Sequence, residues 1–156
     1  MIGTKELLRL VKEQNLVENL SERELTNPEG AGFDLRVGEV FRIKDGESFL
    51  GEKERFTPDV ESVAVYGKDK DFTLKPGEFV LVKTMEKVNL PSNVAAIFRP
   101  RSTLQRSGVA MFTATASPGY KGELTFGMQH QNMRHWVLNE ANFWPRWNSP
   151  SQFYMI

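Results

Sequence analysis

Residues 75–128 read KPGEFVLVKTMEKVNLPSNVAAIFRPRSTLQRSGVAMFTATASPGYKGELTFGM. Four apolar stretches of strand length follow one another here: Phe79–Met85, Val94–Phe98, Val109–Thr115 and Leu124–Met128. Lys75-Pro76-Gly77-Glu78 puts Pro and Gly at the central positions of a type II turn, and Pro118-Gly119 marks another turn. Working outward, Ser62–Tyr66 is a further stretch of the same kind. Phe33–Ile43 alternates as a strand, with Leu35, Val37, Phe41 and Ile43 as its apolar positions, and Asp45-Gly46 follows as a hairpin signal. Asn27-Pro28-Glu29-Gly30 is a turn cluster. Helical period shows only near the start, where Thr4 is an N-cap and Leu7, Leu10 and Val11 share a face of a helix running to about Val17. One helix followed by many short strands predicts a mainly β domain, closed as a barrel or folded as a sandwich.

Composition bounds what this domain does. A chain of 156 residues holds one domain with a real core. Lys and Arg total 20, as do Asp and Glu, so the formal charge is zero. That argues against nucleic acid or an anionic membrane as the principal partner. Cysteine is absent, which excludes disulfides, thiolate nucleophiles and Cys-ligated zinc. The only histidines are His130 and His135, too few for a His-rich metal site. No apolar run approaches the ~20 residues of a membrane span, and Met1 leads into a charged amphipathic segment, so a cytoplasmic location is expected.

Three clusters carry the chemistry. Arg99–Gly108 holds Arg101, Ser102, Gln105 and Arg106 at spacings that let several face one point, after an apolar strand. Guanidinium groups bind phosphate oxygens bidentately, and a hydroxyl adds a donor, which suits a triphosphate; an exposed basic turn would read the same way. Ser117-Pro118-Gly119-Tyr120-Lys121-Gly122-Glu123 is a hairpin that can offer backbone groups to a base edge and a Tyr ring to a sugar, or an ordinary tight turn. In Gly30–Gly38, Asp34 sits between apolar residues, placed to hold a neighbouring loop by accepting backbone N–H bonds or simply to be an exposed strand carboxylate.

In order, these clusters resemble the superfamily of deoxyuridine triphosphatases (dUTPases) and dCTP deaminases. Gly32-Phe33-Asp34-Leu35-Arg36-Val37-Gly38 is similar to its first motif, Arg101–Gly108 to its phosphate motif, and Pro118–Thr125 to its nucleoside hairpin. Lys75–Phe79 and Val88-Asn89-Leu90-Pro91 match the turn before its central strand and the connection onward. The resemblance covers residues 1–128, with spacing closest to the archaeal-type dUTPase branch. It implies a distorted antiparallel β-barrel or jelly roll, a homotrimer with sites between subunits, and a deoxypyrimidine nucleoside triphosphate as substrate. Arg101, Ser102 and Thr103 would contact phosphate, with Gln105 and Arg106 lining the pocket. Gly119 and Tyr120 would hold the nucleoside, the Tyr120 ring rejecting a ribose hydroxyl. Asp34 would be structural, Arg106 catalytic, and Mg2+ would arrive on the triphosphate.

Two positions depart from that pattern. Ser117 stands where the hairpin normally begins with an Asp that activates water, and a Ser hydroxyl has no useful basicity without a neighbouring base. Gly127 stands where deaminases carry a Glu, and Glu123 is about 13 Å away along the strand. Hydrolysis of dUTP is therefore expected first, a catalytically impaired deoxynucleotide-binding relative second, and dCTP deamination last. From Gln129 the chain changes character: every Gly lies before it, all three Trp and both His after it, and only Arg134, Glu140 and Arg146 carry charge. No alternating strand is legible in 129–156. This tail reads as a divergent extension or as the product of a frame shift after about Met128.

Overall fold

The computed structural model describes residues 2–28 and 30–131, and the backbone of Trp136–Asn139 and Phe153–Met155. Helix α1 spans Thr4–Gln14 and buries Leu7 and Leu10. It stops short of Val17 because Asn15 turns left-handed, at φ 53°, and its N–H closes on the Leu10 carbonyl. Val17 belongs instead to β1 (Val17–Glu18), opposite Val88. The N-cap is Gly3, not Thr4. The Thr4 hydroxyl donates to the Gly30 carbonyl at 2.5 Å and ties the helix to the loop before the next strand.

A second helix, α2 (Glu22–Thr26), precedes that loop, with Ser21 accepting the Glu24 N–H at its N-cap. The strand expected over Phe33–Ile43 divides at Arg36 into β2 (Phe33–Leu35) and β3 (Val37–Ile43), which join different sheets. Fully buried Glu86 pins this corner. It accepts the Arg36 backbone N–H at 2.8 Å and its Nε at 2.7 Å, while the Met85 N–H donates to the Arg36 carbonyl. Burial pushes the Glu86 carboxyl above its ordinary range, against the pull of the Arg36 guanidinium.

Asp45-Gly46 is not the hairpin tip. The chain makes an excursion closed by the Lys44 N–H on the Asp59 carbonyl, and the tip lies where Gly51 donates to Glu54, between β4 (Phe49–Leu50) and β5 (Arg55–Phe56). β6 (Val60–Val65) returns beside β3, and β7 (Asp71–Leu74) leads to the expected type II turn. There Glu78 donates to the Lys75 carbonyl at 3.0 Å and Gly77 takes φ 78°. β8 (Phe79–Asn89) is the longest described strand and alternates between buried and more accessible positions along its length. After β9 (Ala96–Pro100) comes a short helix, α3 (Ser102–Arg106). The stretch Val109–Thr115 then divides into β10 (Val109–Phe112) and β11 (Thr115–Ala116), again in different sheets. Between them the Thr113 hydroxyl donates to the Phe98 carbonyl. β12 (Lys121–His130) closes this part of the chain.

The larger sheet has the order β10-β12-β8-β3-β6, with β1 on β8. The smaller has the order β11-β9-β14-β2, where β14 is Phe153–Met155. All pairings are antiparallel. The sheets enclose a core in which Phe98 of β9 meets Phe126 of β12 at 5.2 Å between ring centres. The fold is mainly β and jelly-roll-like, and among the described residues the sheets do not close into a barrel. β13 (Trp136–Asn139) lies along β7. Thus residues beyond Gln129, in which the sequence shows no strand, supply backbone to two sheets. Main-chain pairing needs no alternation of side chains.

Candidate functional site

α3 carries most of the Arg99–Gly108 cluster at the end of β9. Leu104 is buried and anchors the helix, leaving Ser102, Thr103, Gln105 and Arg106 exposed. Ser102 and Arg106 lie one helical turn apart, and the Arg106 Nη2 donates to the Ser102 hydroxyl at 3.3 Å. A hydroxyl and a guanidinium are thus presented together to solvent. Gln105 lines a shallow depression of about 310 Å³ with Pro100, Met111 and Gln131. Arg101 does not join that exposed face. Its guanidinium turns inward to the carboxylate of Asp34 on β2.

Asp34 is only 2% exposed and sits at the centre of a charged cluster. Its Oδ2 accepts from Arg101 Nη1 and also from Arg23 Nη1, the latter at 3.1 Å. Its own backbone N–H donates to Glu24 Oε2 at 3.0 Å. The loop-holding bond expected of the Asp34 carboxylate is therefore made the other way round: the carboxylate of Glu24 accepts the backbone N–H of Asp34. Glu24 is 1% exposed, and its Oε1 stands 3.4 Å from Arg23 Nη1. Among the described residues, two buried carboxylates and two partly buried guanidiniums meet in this cluster, which offsets the cost of burying charge. The sequence reading missed Arg23 and Glu24. Ser21-x-x-Glu24 is a capping-box signature that would have found the helix, though nothing in it foretells that the Glu24 carboxylate serves β2.

The hairpin forms as expected at the other end of β9. Gly119 adopts φ 81° and the Tyr120 N–H closes on the Ser117 carbonyl at 3.1 Å. Gly119 donates to the Pro91 carbonyl and Leu90 to that of Tyr120, which fastens the hairpin to the segment after β8. The Tyr120 hydroxyl donates to the Glu123 carbonyl at 2.6 Å, so the half-exposed ring is held in one orientation on its own hairpin. Ser117 is exposed.

Gly127 lies on the outer face of β12, under an aromatic pair. Phe79 and Phe112 meet at 5.6 Å above it. A Cβ at Gly127 would stand 2.7 Å from Phe79 Cζ, 3.0 Å from its Cε2 and 3.1 Å from Phe112 Cβ. The position is filled by the neighbours' rings, and a longer side chain enters only if Phe79 moves.

One chain does not bring the hairpin to the α3 cluster. Ala116 pairs with Ala96 at the start of β9, and Arg101 follows its end, so the two backbones are separated by roughly 16 Å. Among the described residues no group of three or more His, Asp or Glu is placed to hold a metal ion, and no helix is long and apolar enough to cross a membrane.

A family model described as dCTP deaminase-like matches residues 1–141, past the change in composition at Gln129. The chain is 32% identical over 117 residues to a deoxyuridine 5'-triphosphate nucleotidohydrolase of Methanocaldococcus jannaschii, a match covering 74% of this chain and 72% of that protein. It is also 32% identical over 103 residues to a Kocuria rhizophila protein named dCTP deaminase, dUMP-forming, covering 64% of this chain and 54% of that one. Among solved structures, the 2'-deoxycytidine 5'-triphosphate deaminase from Agrobacterium tumefaciens shares the fold with a TM-score of 0.68 at 14% identity, over 99% of this chain. The chain spans 46% of the length of that protein.

Proposed function

Since the chain belongs to the dCTP deaminase-like family, we propose that it binds a deoxypyrimidine nucleoside triphosphate and hydrolyses dUTP to dUMP and pyrophosphate. The observation that carries the choice between the family's two activities is Gly127. Deamination of the pyrimidine needs a proton shuttle, and the resemblance puts a Glu there in deaminases. Here the position has no side chain and is covered by Phe79 and Phe112.

In this reading Ser102, Thr103 and Arg106 receive the triphosphate on the exposed face of α3, with Arg101 and Gln105 flanking it. Charge spread over phosphate oxygens is stabilised by such donors without covalent chemistry from the protein. Magnesium enters as part of the substrate, held by phosphate oxygens. Gly119 offers backbone to the nucleoside, and the fixed ring of Tyr120 lies against the sugar. A water adds to the α-phosphorus, the bond to the bridging oxygen breaks, pyrophosphate leaves, and the proton of the water passes to solvent or to the departing pyrophosphate. The separation of hairpin and phosphate cluster within one chain supports a homotrimer in which the hairpin of one copy meets the α3 face of another. Residues 1–128 would be the nucleotide-binding β domain and 129–156 its atypical closing segment. Soluble nucleotide chemistry fits a cytoplasmic protein.

Ser117 favours a second reading, a relative that binds the nucleotide and turns it over poorly, because no carboxylate stands at the head of the hairpin. The test is incubation with each deoxynucleoside triphosphate and magnesium, following pyrophosphate and ammonia separately. Pyrophosphate from dUTP without ammonia is expected. Ammonia from dCTP would overturn the assignment. Binding without either product would support the second reading, and Ser117→Asp should then gain pyrophosphate release.

A further inference from the structure

We propose that Arg23 is a positioning residue of the triphosphate site: by sharing the Asp34 carboxylate with Arg101, it lets Arg101 turn from that carboxylate to a polyphosphate. The inference rests on the phosphate reading of α3 given above. Its starting point is that one oxygen, Asp34 Oδ2, accepts from both Arg23 and Arg101. Asp34 is 2% exposed, so if it loses a cation its charge is poorly solvated. Arg101 directly precedes α3, whose Ser102 and Arg106 stand on the exposed face. For its guanidinium to bind a polyphosphate there, it must release Asp34 in whole or in part. Without a second cation, that release would leave a buried carboxylate unpaired and would oppose binding.

Arg23 is placed to remain behind. It sits on α2, and its Nη1 lies 3.1 Å from Asp34 and 3.4 Å from Glu24. Glu24 in turn fixes the Asp34 backbone by accepting its N–H. Arg23 is therefore held by two carboxylates, those of Asp34 and Glu24, whereas Arg101 stands next to the donors of α3. A ligand shifts such an equilibrium only by its differential affinity for the two arrangements. Lowering the cost of the released state thus appears directly as tighter binding, although Arg23 touches no phosphate.

The experiment measures the Kd of magnesium tripolyphosphate by calorimetry for the wild type and for Arg23→Gln, Arg23→Lys, Asp34→Asn and the Arg23→Gln/Asp34→Asn double variant. The probe carries no nucleoside, so the result does not depend on which nucleotide is preferred. Arg23→Gln should weaken binding on the order of tenfold, the scale of one charge-assisted hydrogen bond, and Arg23→Lys should recover most of it. With Asp34→Asn present there is no buried carboxylate to compensate, and Arg23→Gln should then change Kd by less than about twofold. Should Asp34→Asn fail to fold, Arg101→Gln replaces it in the cycle: with Arg101 gone, loss of Arg23 should have no further effect. An unchanged Kd in Arg23→Gln overturns the proposal, as does a full tenfold loss that persists in either double variant, which would put Arg23 on the phosphate itself. A wild-type protein that does not bind tripolyphosphate would overturn the phosphate reading of α3 and this inference with it. Wild-type binding with an indifferent Arg23→Gln would overturn this inference alone.

Discussion

Gly127 invites a perturbation whose sign should reverse with its neighbour. A Cβ there would meet Phe79 Cζ at 2.7 Å and Phe112 Cβ at 3.1 Å. The first contact is with the far end of a side chain that is 37% exposed and can swing out; the second is fixed by the β10 backbone and must give by a few tenths of an ångström. Swinging Phe79 away breaks the tilted pair with Phe112 at 5.6 Å, a loss of about 0.5–1.5 kcal/mol. Replacing Gly by Ala inside a strand returns about 0.5–1 kcal/mol of backbone entropy. In the wild-type background Gly127→Ala should therefore be neutral to destabilising, by up to about 1 kcal/mol. In a Phe79→Ala background the pair is already gone and the main obstruction with it, so the same substitution should stabilise by about 0.5 kcal/mol. Urea unfolding of the four proteins, with equal m-values, gives the coupling directly, and about 1 kcal/mol is expected. Gly127→Ala with the same effect in both backgrounds would refute the reasoning. It would mean that the rings do not rest on the glycine.

The remaining expectations concern the charged clusters. Arg101→Ala should weaken tripolyphosphate binding and also cost about 1–3 kcal/mol of stability, less than a fully broken buried pair because Arg23 still faces Asp34; urea unfolding beside calorimetry separates the two effects, and unchanged affinity would remove Arg101 from the site. Glu86→Ala should destabilise by about 3–5 kcal/mol by stranding Arg36 at the corner between sheets, whereas Arg36→Met with Glu86→Leu should be far milder; equal losses in thermal or urea unfolding would count against an ion-pair role. The Lys83 ammonium on Glu39, with the Ser62 hydroxyl, holds the Glu39 carboxyl below its ordinary value despite partial burial. Its stabilisation is complete above the unfolded carboxyl value and lost as pH falls through the lower folded one, so Glu39→Gln should flatten the acid limb of the melting-temperature profile; an unaltered limb would reject the pair as a contributor.

What was legible in the sequence and what was not divide along a physical line. β8 and β12 bury alternate side chains against a core, and alternation is what a sequence displays. The turns at Pro76-Gly77 and Pro118-Gly119 were legible because Gly77 and Gly119 take the positive φ that their positions require. The breaks at Arg36 and Thr113 were not, because each is made by a partner distant in sequence: Glu86 for the first and the Phe98 carbonyl for the second. A run that looks like one strand becomes two when a remote acceptor captures the backbone or a side chain at the crossing point between sheets. The same holds at the site. The residues of α3 and of the hairpin announce themselves by type and spacing, but the direction in which Arg101 points is set by Asp34, Arg23 and Glu24, three residues on two other elements. Motif spacing could nominate Arg101 as a phosphate ligand. That the guanidinium is already engaged by a buried carboxylate, and that a second arginine shares the same oxygen, follows only from the packing of α2 and β2 behind it.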